Sequence, residues 1–455
     1  MNLLQLMPTF PPVSEETLRR YDVPAPRYTS YPTVPAWTDR VGPAAFAAAL
    51  ARASQRPAAP LSTYLHIPFC RERCAFCGCN VVVTRSRDKA DRYLDTLTRE
   101  MDTVADLLGE RRSLSQIHWG GGTPTFLDER QIETLWMAIT RHFRVLPDAE
   151  VAIEIDPVVT SRSQLELLRK LGFNRLSVGV QDLDPRVQKS IDRVQSVEET
   201  RAALDHARAL GFKGINFDLI YGLPLQTPKT WQRTLEQILE MRPDRLAVYS
   251  FAHVPDVRPN QKRLPVAGIP RGAEKLELFR LAWEALTGAG YQQIGMDHFA
   301  VPEDELALAQ SRRALGRNFQ GYTVQAATEV VAFGASAISD IGGVFAQNAH
   351  GLPRYQGAVN QGELAVERGI ELTADDVQRR AIISQLMCNF WVDLRGVPGF
   401  QPELARLSEL EREGLVQVRG REIELTPLGR IFVRNVATVF DAYLERQDQS
   451  FSRTV

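Results

Sequence analysis

Residues 215–251 read INFDLIYGLPLQTPKTWQRTLEQILEMRPDRLAVYSF and contain two runs of strand-forming residues separated by a helical pattern. The runs are INFDLIYG (215–222) and RLAVYSF (245–251), and the helical pattern brings Trp231 and Leu235 to one face. A connection of this length allows the two strands to pair in parallel. The stretch therefore predicts one strand–helix–strand unit of a parallel α/β sheet.

The same alternation recurs towards the N-terminus. Four further runs have the composition of short strands: STYLHI (62–67), QIHWG (116–120), EVAIEID (150–156) and RLSVGVQ (175–181). Amphipathic helical patterns lie between them, for example from Tyr93 to Leu108. Together with the two runs above, the sequence predicts an α/β fold with six parallel strands.

The segments on either side of this region differ from it in pattern. We expect residues 1–55, which include RYTSYPT, to form an extension that closes over the barrel, and residues 56–365 to form the barrel with an additional substrate-side region. Residues 366–455 predict a separate, mainly helical domain. Its pattern is helix, helix, hairpin and helix, over residues 375–390, 403–413, 415–426 and 428–444. A winged-helix DNA-binding domain has the same order of elements.

The composition excludes several classes of function. The 455 residues include 54 Lys and Arg against 55 Asp and Glu, so no positive field would attract nucleic acid, and the winged-helix interpretation gains little support. No apolar run is long enough to span a membrane, and the start MNLLQLMPTFPP lacks the basic and apolar regions of an export signal. We therefore expect a cytoplasmic protein with neither a membrane nor a nucleic-acid partner.

Four of the five cysteines lie within ten residues, which is unlike a disulfide framework. Cys70, Cys74 and Cys77 have the spacing C-x3-C-x2-C directly after a predicted strand, and Cys79 follows two residues later. Three thiolates on one loop can hold an iron–sulfur cube and leave one iron open to a ligand. A structural zinc site that uses all four cysteines is the alternative, although zinc knuckles usually lie further apart in sequence.

Polar residues lie near the carboxyl ends of three predicted strands. Glu154 and Asp156 share a face of EVAIEID, Gln181 ends the next strand, and Asp218 interrupts the strand after it. In a parallel barrel these ends surround the ligand, although a lone acid there is also a common turn or cap residue. The GGGTP string (120–124) either lets a ligand approach the backbone or makes only a tight turn.

The stretch YLHIPFCRERCAFCGCN (64–80) resembles the cluster loop of the radical S-adenosylmethionine (SAM) enzymes, and in particular of the oxygen-independent coproporphyrinogen III oxidase family. Supporting strings lie along almost the whole chain: RYTSYPT, IHWGGGTPTFL, GFNRLSVGVQD, DLIYGLPLQT, IGMDHFA, NFQGYT and FSRTV. The resemblance implies a partial, three-quarter TIM-type barrel. It also implies a 4Fe-4S cluster and SAM, of which two molecules are expected to bind.

The resemblance assigns roles to individual residues. It implies that the cluster is held by Cys70, Cys74 and Cys77. It implies that SAM is bound by Tyr64, Phe76, Gly121, Gly122, Thr123, Glu154, Gln181, Arg193, Asp218, Ala252 and Ile338. The residues expected to take part in catalysis are Tyr64, Cys79, Glu154, Asp218 and Gln320.

The implied reaction is a step of heme biosynthesis. A 5′-deoxyadenosyl radical removes a hydrogen from the β-carbon of a propionate side chain of coproporphyrinogen III, and loss of carbon dioxide and one electron leaves a vinyl group. Two such conversions give protoporphyrinogen IX. The expected partners are this substrate and an electron donor such as a flavodoxin or ferredoxin, and the expected state is a monomer. Because the substrate carries four carboxylates, Arg or Lys should line its site, but the sequence does not say which.

Two other functions compete with this one. The first is a heme-binding relative in the same superfamily that does not decarboxylate; such relatives usually lack a cysteine at the place of Cys79 and lack the RYTSYPT extension, and this chain has both. The second is a binding protein stabilised by a zinc ion or a cluster, which would use a closed four-cysteine site and have no affinity for SAM.

Overall fold

The computed structural model describes residues 9–324, 329–444 and 451–454. Its central feature is a curved sheet with seven neighbouring parallel strands. In chain order these strands are β1 (Leu61–Ile67), β2 (Ser113–Gly121), β3 (Arg144–Ile155), β4 (Arg175–Gln181), β5 (Ile215–Tyr221), β6 (Arg245–Ser250) and β7 (Val330–Phe333). Their order in space is β7-β1-β2-β3-β4-β5-β6.

All six predicted strands are present, and the structure adds β7 to them. β7 pairs in parallel with the outer side of β1, with Ser62 opposite Val330 and Leu65 opposite Phe333. The strand is only four residues long and returns to the sheet some eighty residues after β6, so the strand–helix alternation that revealed the other strands does not extend to it. The predicted count of six therefore omits the strand that flanks β1.

Antiparallel strands extend the sheet on both sides. His298–Ala300 pairs with β6 and is followed outward by Gln292–Ile294. On the other side, β7 is followed by Ile338–Ile341, Val344–Asn348 and Val366–Glu371. Within the described residues the two outermost strands do not pair with each other. The sheet is thus an open barrel, as the prediction of a partial barrel requires.

Helices cover the outside of the sheet and begin at clear signals in the sequence. Capping boxes start five helices, at Asp128, Ser161, Ser196, Thr227 and Thr373. The helices up to the end of the barrel are Glu15–Tyr21, Pro43–Ser54, Arg87–Leu108, Glu129–His142, Arg162–Leu171, Pro185–Ser190, Val197–Ala209, Pro228–Met241, Ala273–Gly288, Glu305–Ser311 and Leu352–Asn360. No helix in the described part of the chain is long and apolar enough to cross a membrane.

The C-terminal region has its own hydrophobic core. It consists of Ala374–Asn389, Gln401–Arg412, Pro427–Ile431 and Val433–Thr438 as helices and Trp391–Asp393, Val416–Arg419 and Glu422–Leu425 as a small antiparallel sheet. The predicted single helix over residues 428–444 is wrong, because the backbone leaves the helical conformation at Phe432 (φ −103°, ψ 29°). The hydrophobic pattern continues through Phe432 and does not reveal the break.

The N-terminal extension packs against both parts. Phe46 and Leu50 join the core of the barrel, whereas Tyr21, Tyr28 and Tyr31 join the core of the C-terminal region. The last described residues pair with the same extension, for example through the amide of Thr454 and the carbonyl oxygen of Val23 (3.1 Å). The predicted N-terminal start falls partly on residues 1–8, which lie outside the described residues.

A buried carboxyl group behind the barrel predicts a pH-dependent stability. Glu100 accepts hydrogen bonds from the Tyr355 hydroxyl (2.6 Å), the Asn348 amide group (2.6 Å) and the backbone amide of Gly334 (2.8 Å). Burial nevertheless raises the pKa of Glu100 to about 7. Between its ordinary pKa near 4.5 and pH 7, the folded state therefore retains a proton that the unfolded state releases.

We expect the free energy of unfolding to fall as the pH rises through this range, and the Glu100→Gln variant to lack this contribution. Urea unfolding at pH 5 and pH 8 should show the wild type losing up to about 3 kcal/mol more than the variant. Equal losses in the two proteins would show that Glu100 does not titrate in this way.

Candidate active site

A cavity of about 590 Å³ lies at the carboxyl ends of the barrel strands. Twelve of the sixteen site residues predicted from the sequence line it: Cys70, Cys74, Phe76, Cys77, Cys79, Gly121, Gly122, Thr123, Glu154, Gln181, Arg193 and Asp218. The side chains that face it alternate along the strands with side chains that pack against the helices. The fold therefore brings residues separated by almost 150 positions to one site.

The backbone of the cysteine loop is held by hydrogen bonds from two side chains that the sequence analysis did not identify. Asn260 Nδ2 donates to the carbonyl oxygens of Ala75 (3.0 Å) and Cys77 (2.9 Å), and Gln261 Nε2 donates to that of Phe76 (3.1 Å). Both residues lie in a short 3₁₀ helix far along the chain and outside any predicted element. Their amide side chains are typical of surface positions, so only the fold identifies them as supports of the loop.

The thiol groups of the loop have different environments. Burial raises the pKa of Cys70 to about 11, although its Sγ lies 3.6 Å from the Thr123 hydroxyl. The side chain of Cys79 hydrogen-bonds to Cys77 and lowers the pKa of Cys77 to about 6, assisted by the Cys79 amide 3.4 Å from its Sγ. Thiolates are the ligand form, so metal binding must displace the proton of Cys70.

The donor set fits an iron–sulfur cluster better than a closed zinc site. Nowhere in the described ranges are three His, Cys, Asp or Glu side chains grouped tightly enough to hold a single ion. A zinc site with four cysteines needs its ligands grouped tightly around one ion. In a 4Fe-4S cluster each thiolate binds a different iron, so the thiolates stand further apart. Cys70, Cys74 and Cys77 all face the cavity, so they would hold the cluster at its wall.

The glycines after β2 leave room that a side chain would fill. A Cβ on Gly122 would lie 2.8 Å from the carbonyl oxygens of Pro68 and Phe69, and one on Gly121 would lie 2.7 Å from the His66 ring. Gly121 also has a φ of +122°, which favours glycine. This backbone therefore packs directly on the start of the cysteine loop, where the amides of Gly122 and Thr123 donate to the carbonyl oxygens of Ile67 (2.8 Å) and Phe69 (2.9 Å).

We expect the Gly122→Ala substitution to push the cysteine loop away from β2. The variant should retain less iron after reconstitution and bind SAM about tenfold more weakly, since its Cβ meets rigid backbone. Gly78→Ala is the matched control, because a Cβ on Gly78, in the same loop, meets nothing within 4 Å. Iron analysis and equilibrium dialysis with SAM measure both effects, and equal behaviour of the two variants would contradict the prediction.

Glu154 presents an ionised carboxylate to the cavity. Its Oε1 lies 3.2 Å from His118 Nε2, and its Oε2 accepts a hydrogen bond from the Gly121 amide at 3.2 Å. Burial acts to raise the pKa of Glu154, but the hydrogen bond and charge of His118 outweigh it and hold the pKa below its ordinary value. The carboxylate can therefore bind a cationic group beside the cysteine loop.

A second carboxyl group, that of Asp218, lies on the next strand but one. It accepts hydrogen bonds from the Ser177 hydroxyl (2.9 Å) and Asn216 Nδ2 (2.9 Å). Burial, reinforced by the negative charge of Glu154, raises the pKa of Asp218 to about 6. A bound cation would stabilise the charged form of both carboxyl groups, which suits a ligand that carries ammonium and sulfonium groups.

Arg193 and Gln181 complete this side of the cavity. Arg193 forms an ion pair with Asp156 (2.7 Å) and donates to the Gly179 carbonyl oxygen (2.8 Å), while its Nε is buried without a partner among the described residues. Gln181 has a φ of +65°, so the strand turns sharply as it ends. A Cβ on Gly179 would lie 2.9 Å from the side-chain nitrogen Nε2 of Gln181 and 3.1 Å from Nη2 of Arg193. The side chains of Gln181 and Arg193 therefore pack closely over the Gly179 backbone.

Tyr64 contributes through a chain of hydrogen bonds to the loop. His66 Nε2 lies 2.9 Å from the Asn80 carbonyl oxygen, which can only accept, so Nε2 carries the proton and Nδ1 accepts from the Tyr64 hydroxyl at 3.1 Å. Burial lowers the pKa of His66 and favours this neutral form. The chain connects β1 with the end of the cysteine loop.

Four predicted residues do not line the cavity: Tyr64, Ala252, Gln320 and Ile338. The carbonyl oxygen of Ala252 accepts a hydrogen bond from Gln261 (3.1 Å), the residue that also holds the cysteine loop. Gln320 lies in the turn of a two-stranded hairpin formed by Gly316–Asn318 and Gly321–Thr323. Its backbone amide donates a hydrogen bond to Asn318 Oδ1 (2.9 Å). Ile338 begins the strand after β7.

The open parallel barrel and the cysteine-lined cavity at its carboxyl edge define the chain as a radical SAM protein, and the sequence profile described as the Radical SAM superfamily matches residues 64–238. The chain is 45% identical to the oxygen-independent coproporphyrinogen III oxidase of Salmonella typhimurium over 449 residues, which cover 96% of this chain and 97% of that protein. It is 42% identical to the enzyme of that name from Pseudomonas aeruginosa, with 97% and 98% covered.

A solved structure, that of coproporphyrinogen III oxidase from Escherichia coli, described as a radical SAM enzyme, matches with 45% identity and a TM-score of 0.89. The match covers 92% of this chain and 98% of the other. The chain belongs to the oxygen-independent coproporphyrinogen III oxidase family.

Proposed function

We propose that this protein decarboxylates two propionate side chains of coproporphyrinogen III to vinyl groups without oxygen, giving protoporphyrinogen IX. One observation carries the proposal: the chain is 45% identical to a relative of that activity over nearly its full length, and its cysteines and strand-end carboxylates meet in one cavity. When bound, the cluster and SAM supply a 5′-deoxyadenosyl radical that removes hydrogen from the substrate. The protein's own task is to bind, orient and shield the reactants.

The residues divide that task between them. Cys70, Cys74 and Cys77 would hold the cluster, and the Gly121 and Gly122 backbone and the Glu154 carboxylate would hold SAM beside it. The catalytic roles given to Tyr64, Cys79 and Gln320 belong to this proposal. Cys79 lines the cavity next to the loop, where its thiol can reach a substrate.

We further propose that two SAM molecules bind. Gln181, Arg193 and Asp218 line the cavity on β4, the segment after it and β5, away from the Glu154 and Gly121 contact. A buried carboxyl with a raised pKa and an unpartnered guanidinium nitrogen are what an ammonium and a carboxylate of a second ligand would satisfy. Phe76, Ala252 and Ile338 are assigned to the same cofactors.

The remaining expectations are also part of the proposal. The protein would act as a monomer in the cytoplasm and take electrons from a flavodoxin or ferredoxin. The near balance of 54 basic and 55 acidic residues supports the absence of a nucleic-acid partner. We keep the division into residues 1–55, 56–365 and 366–455; the separate hydrophobic core supports a C-terminal unit from Ala374 onward, while Val366–Glu371 pairs with the barrel sheet.

An anaerobic incubation of the reconstituted, reduced protein with SAM and coproporphyrinogen III tests the function. We expect a product that has lost two carbon dioxide units, formed together with 5′-deoxyadenosine. Tight binding of hemin with no change in tetrapyrrole mass would identify a heme-binding relative instead. The absence of 5′-deoxyadenosine from a cluster-loaded sample would contradict radical chemistry altogether.

A further inference from the structure

A group of charged side chains, one buried and three half-buried, lies beside the cavity and has no role in the account above. It consists of Arg27, Asp297, His298 and Arg317, and we name it the Asp297 cluster. Asp297 forms an ion pair with Arg27, and its Oδ1 lies 2.7 Å from His298 Nδ1. Arg317 Nη1 donates to the carbonyl oxygen of Arg27 at 2.8 Å. The Asp297 carboxylate thus binds one guanidinium group and an imidazole, and the second guanidinium group is held by the backbone of Arg27.

One member of the cluster, His298, faces the same lumen as the cavity, whereas Arg27 and Asp297 line a separate small pocket beside it. His298 lies directly opposite Ala247 in an antiparallel pair, so its side chain shares a face of the sheet with Ala247 and with Tyr249 two residues further on. Tyr249 lines the cavity, and its ring meets the His298 ring edge-on at 5.7 Å. His298 also lies close enough to act electrostatically on Asp218, a residue that lines the cavity. His298 therefore stands directly behind the cavity wall at Tyr249, and Arg317 follows it through the Tyr322 ring, which both side chains contact.

Two groups of the cluster lack an acceptor among the residues that the structure describes. Asp297 binds His298 through Nδ1, so Nε2 points away and has no partner in the described part of the chain. Arg317 stacks over the Tyr322 ring at 5.0 Å and donates only through Nη1, and its Nε is buried without a partner among the described residues. The positions of these donors are already fixed. Binding an anion therefore costs them little conformational entropy.

The charge balance also favours an anion. The Asp297 cluster holds two guanidinium groups against one carboxylate; Lys275 and Arg434 lie next to Arg27, and Asp22 is the acid that faces Lys275. Lys275 donates to the Phe251 carbonyl oxygen (2.8 Å), and neither of these two forms an ion pair among the described residues. An excess of buried positive charge is unfavourable unless an acid neutralises it.

We propose that His298 Nε2 and the Arg317 guanidinium bind one carboxylate of the substrate, and that Asp297 positions His298 for this contact. The inference rests on the proposed function, whose substrate carries propionate groups that do not react in the cavity and need a partner. It names the side chains that the sequence left unassigned: one histidine and one arginine beside Tyr249, at the side of the cavity formed by β6.

Binding of coproporphyrin III and of its tetramethyl ester to the reconstituted protein tests the proposal without turnover. Arg317→Met and His298→Asn should each weaken binding of the free acid about tenfold and leave binding of the ester unchanged, since a hydrogen bond to a charged group is lost only with the acid. His298→Gln keeps a donor near the place of Nε2 and should retain most of the affinity. Arg354→Met removes a 69% exposed arginine and is the matched control.

Asp297→Asn tests the positioning role. It should raise KM for coproporphyrinogen III more than it lowers kcat, because the imidazole loses its fixed orientation while the reacting groups stay in place.

Equal loss of acid and ester binding in Arg317→Met would show a structural role and overturn the proposal. Loss of SAM affinity in dialysis, with porphyrin binding unchanged, would assign the carboxylate to the cofactor and overturn it as well.

The failure of this inference can be told apart from the failure of the proposed function. Suppose that the wild type binds the free acid more tightly than the ester and that Arg317→Met abolishes this difference, yet coproporphyrinogen III stays unchanged in the activity assay. In that case the carboxylate subsite stands and the proposed reaction is wrong. If decarboxylation proceeds while the Arg317 and His298 variants bind the acid normally, the function stands and the subsite is wrong.

Discussion

Cys74→Ser will lose the iron–sulfur cluster and with it nearly all formation of 5′-deoxyadenosine. Cys74 faces the cavity together with Cys70 and Cys77, the other two proposed ligands, and Asn260 holds the backbone next to it in place. A serine hydroxyl is a poor ligand for iron at neutral pH, and the loss of a ligand should lower activity by at least about 100-fold. Iron analysis, electron paramagnetic resonance and product analysis measure the effect.

Cys388→Ala is the control for the removal of one thiol. Cys388 is buried in a small core that is separate from the one containing Ala75 of the cysteine loop, and its Sγ lies 4.0 Å from the Ser384 hydroxyl. This variant should keep its iron and its activity. A Cys74→Ser protein that retains a full cluster and cleaves SAM would contradict the assignment of the ligands.

Glu154→Gln will weaken SAM binding by about 10- to 100-fold while the cluster remains. The substitution keeps the shape of the side chain but removes the negative charge that His118 and the Gly121 amide stabilise. A hydrogen bond between charged groups contributes about 1.5–3 kcal/mol, and most of that is lost when one charge is removed. Equilibrium dialysis with SAM measures the affinity, and iron analysis confirms that the cluster is intact.

Glu150→Gln is the matched control, because Glu150 lies on the same strand and the same face, four residues earlier, where it accepts a hydrogen bond from Gln116 (2.9 Å). It does not line the cavity, so SAM affinity should stay within a factor of two or so of the wild type. Similar loss in both variants would show that Glu154 acts through the stability of the barrel and not by binding the cofactor.

Much of the fold could be predicted because local patterns determine it. The strand RLSVGVQ begins and ends at the predicted residues, Arg175 and Gln181. Its apolar residues alternate and turns bound it on both sides, so only one strand register buries all of its apolar side chains. β7 and the break at Phe432 could not be predicted, because long-range pairing decides the first and packing of a short helix against the hairpin decides the second.

The candidate site divides in the same way. The cysteine loop, the glycines and the strand-end carboxylates carry a pattern in sequence, and the structure gathers them in one cavity. Asp297 and His298 lie in IGMDHFA, one of the strings that carry the resemblance, but neither this pair nor Asn260 has a spacing that assigns it a role. Their roles follow from which backbone or carboxylate the fold places beside them.

The transfer of deuterium tests the central claim most directly. Coproporphyrinogen III labelled with deuterium at the β-carbons of its propionate groups is incubated anaerobically with the reduced, cluster-loaded protein and SAM, and the 5′-deoxyadenosine is analysed by mass spectrometry. We predict that one deuterium appears in the 5′-deoxyadenosine for each carbon dioxide released. Unlabelled 5′-deoxyadenosine alongside a vinyl product would contradict the claim that this cavity aligns the propionate with the cofactor.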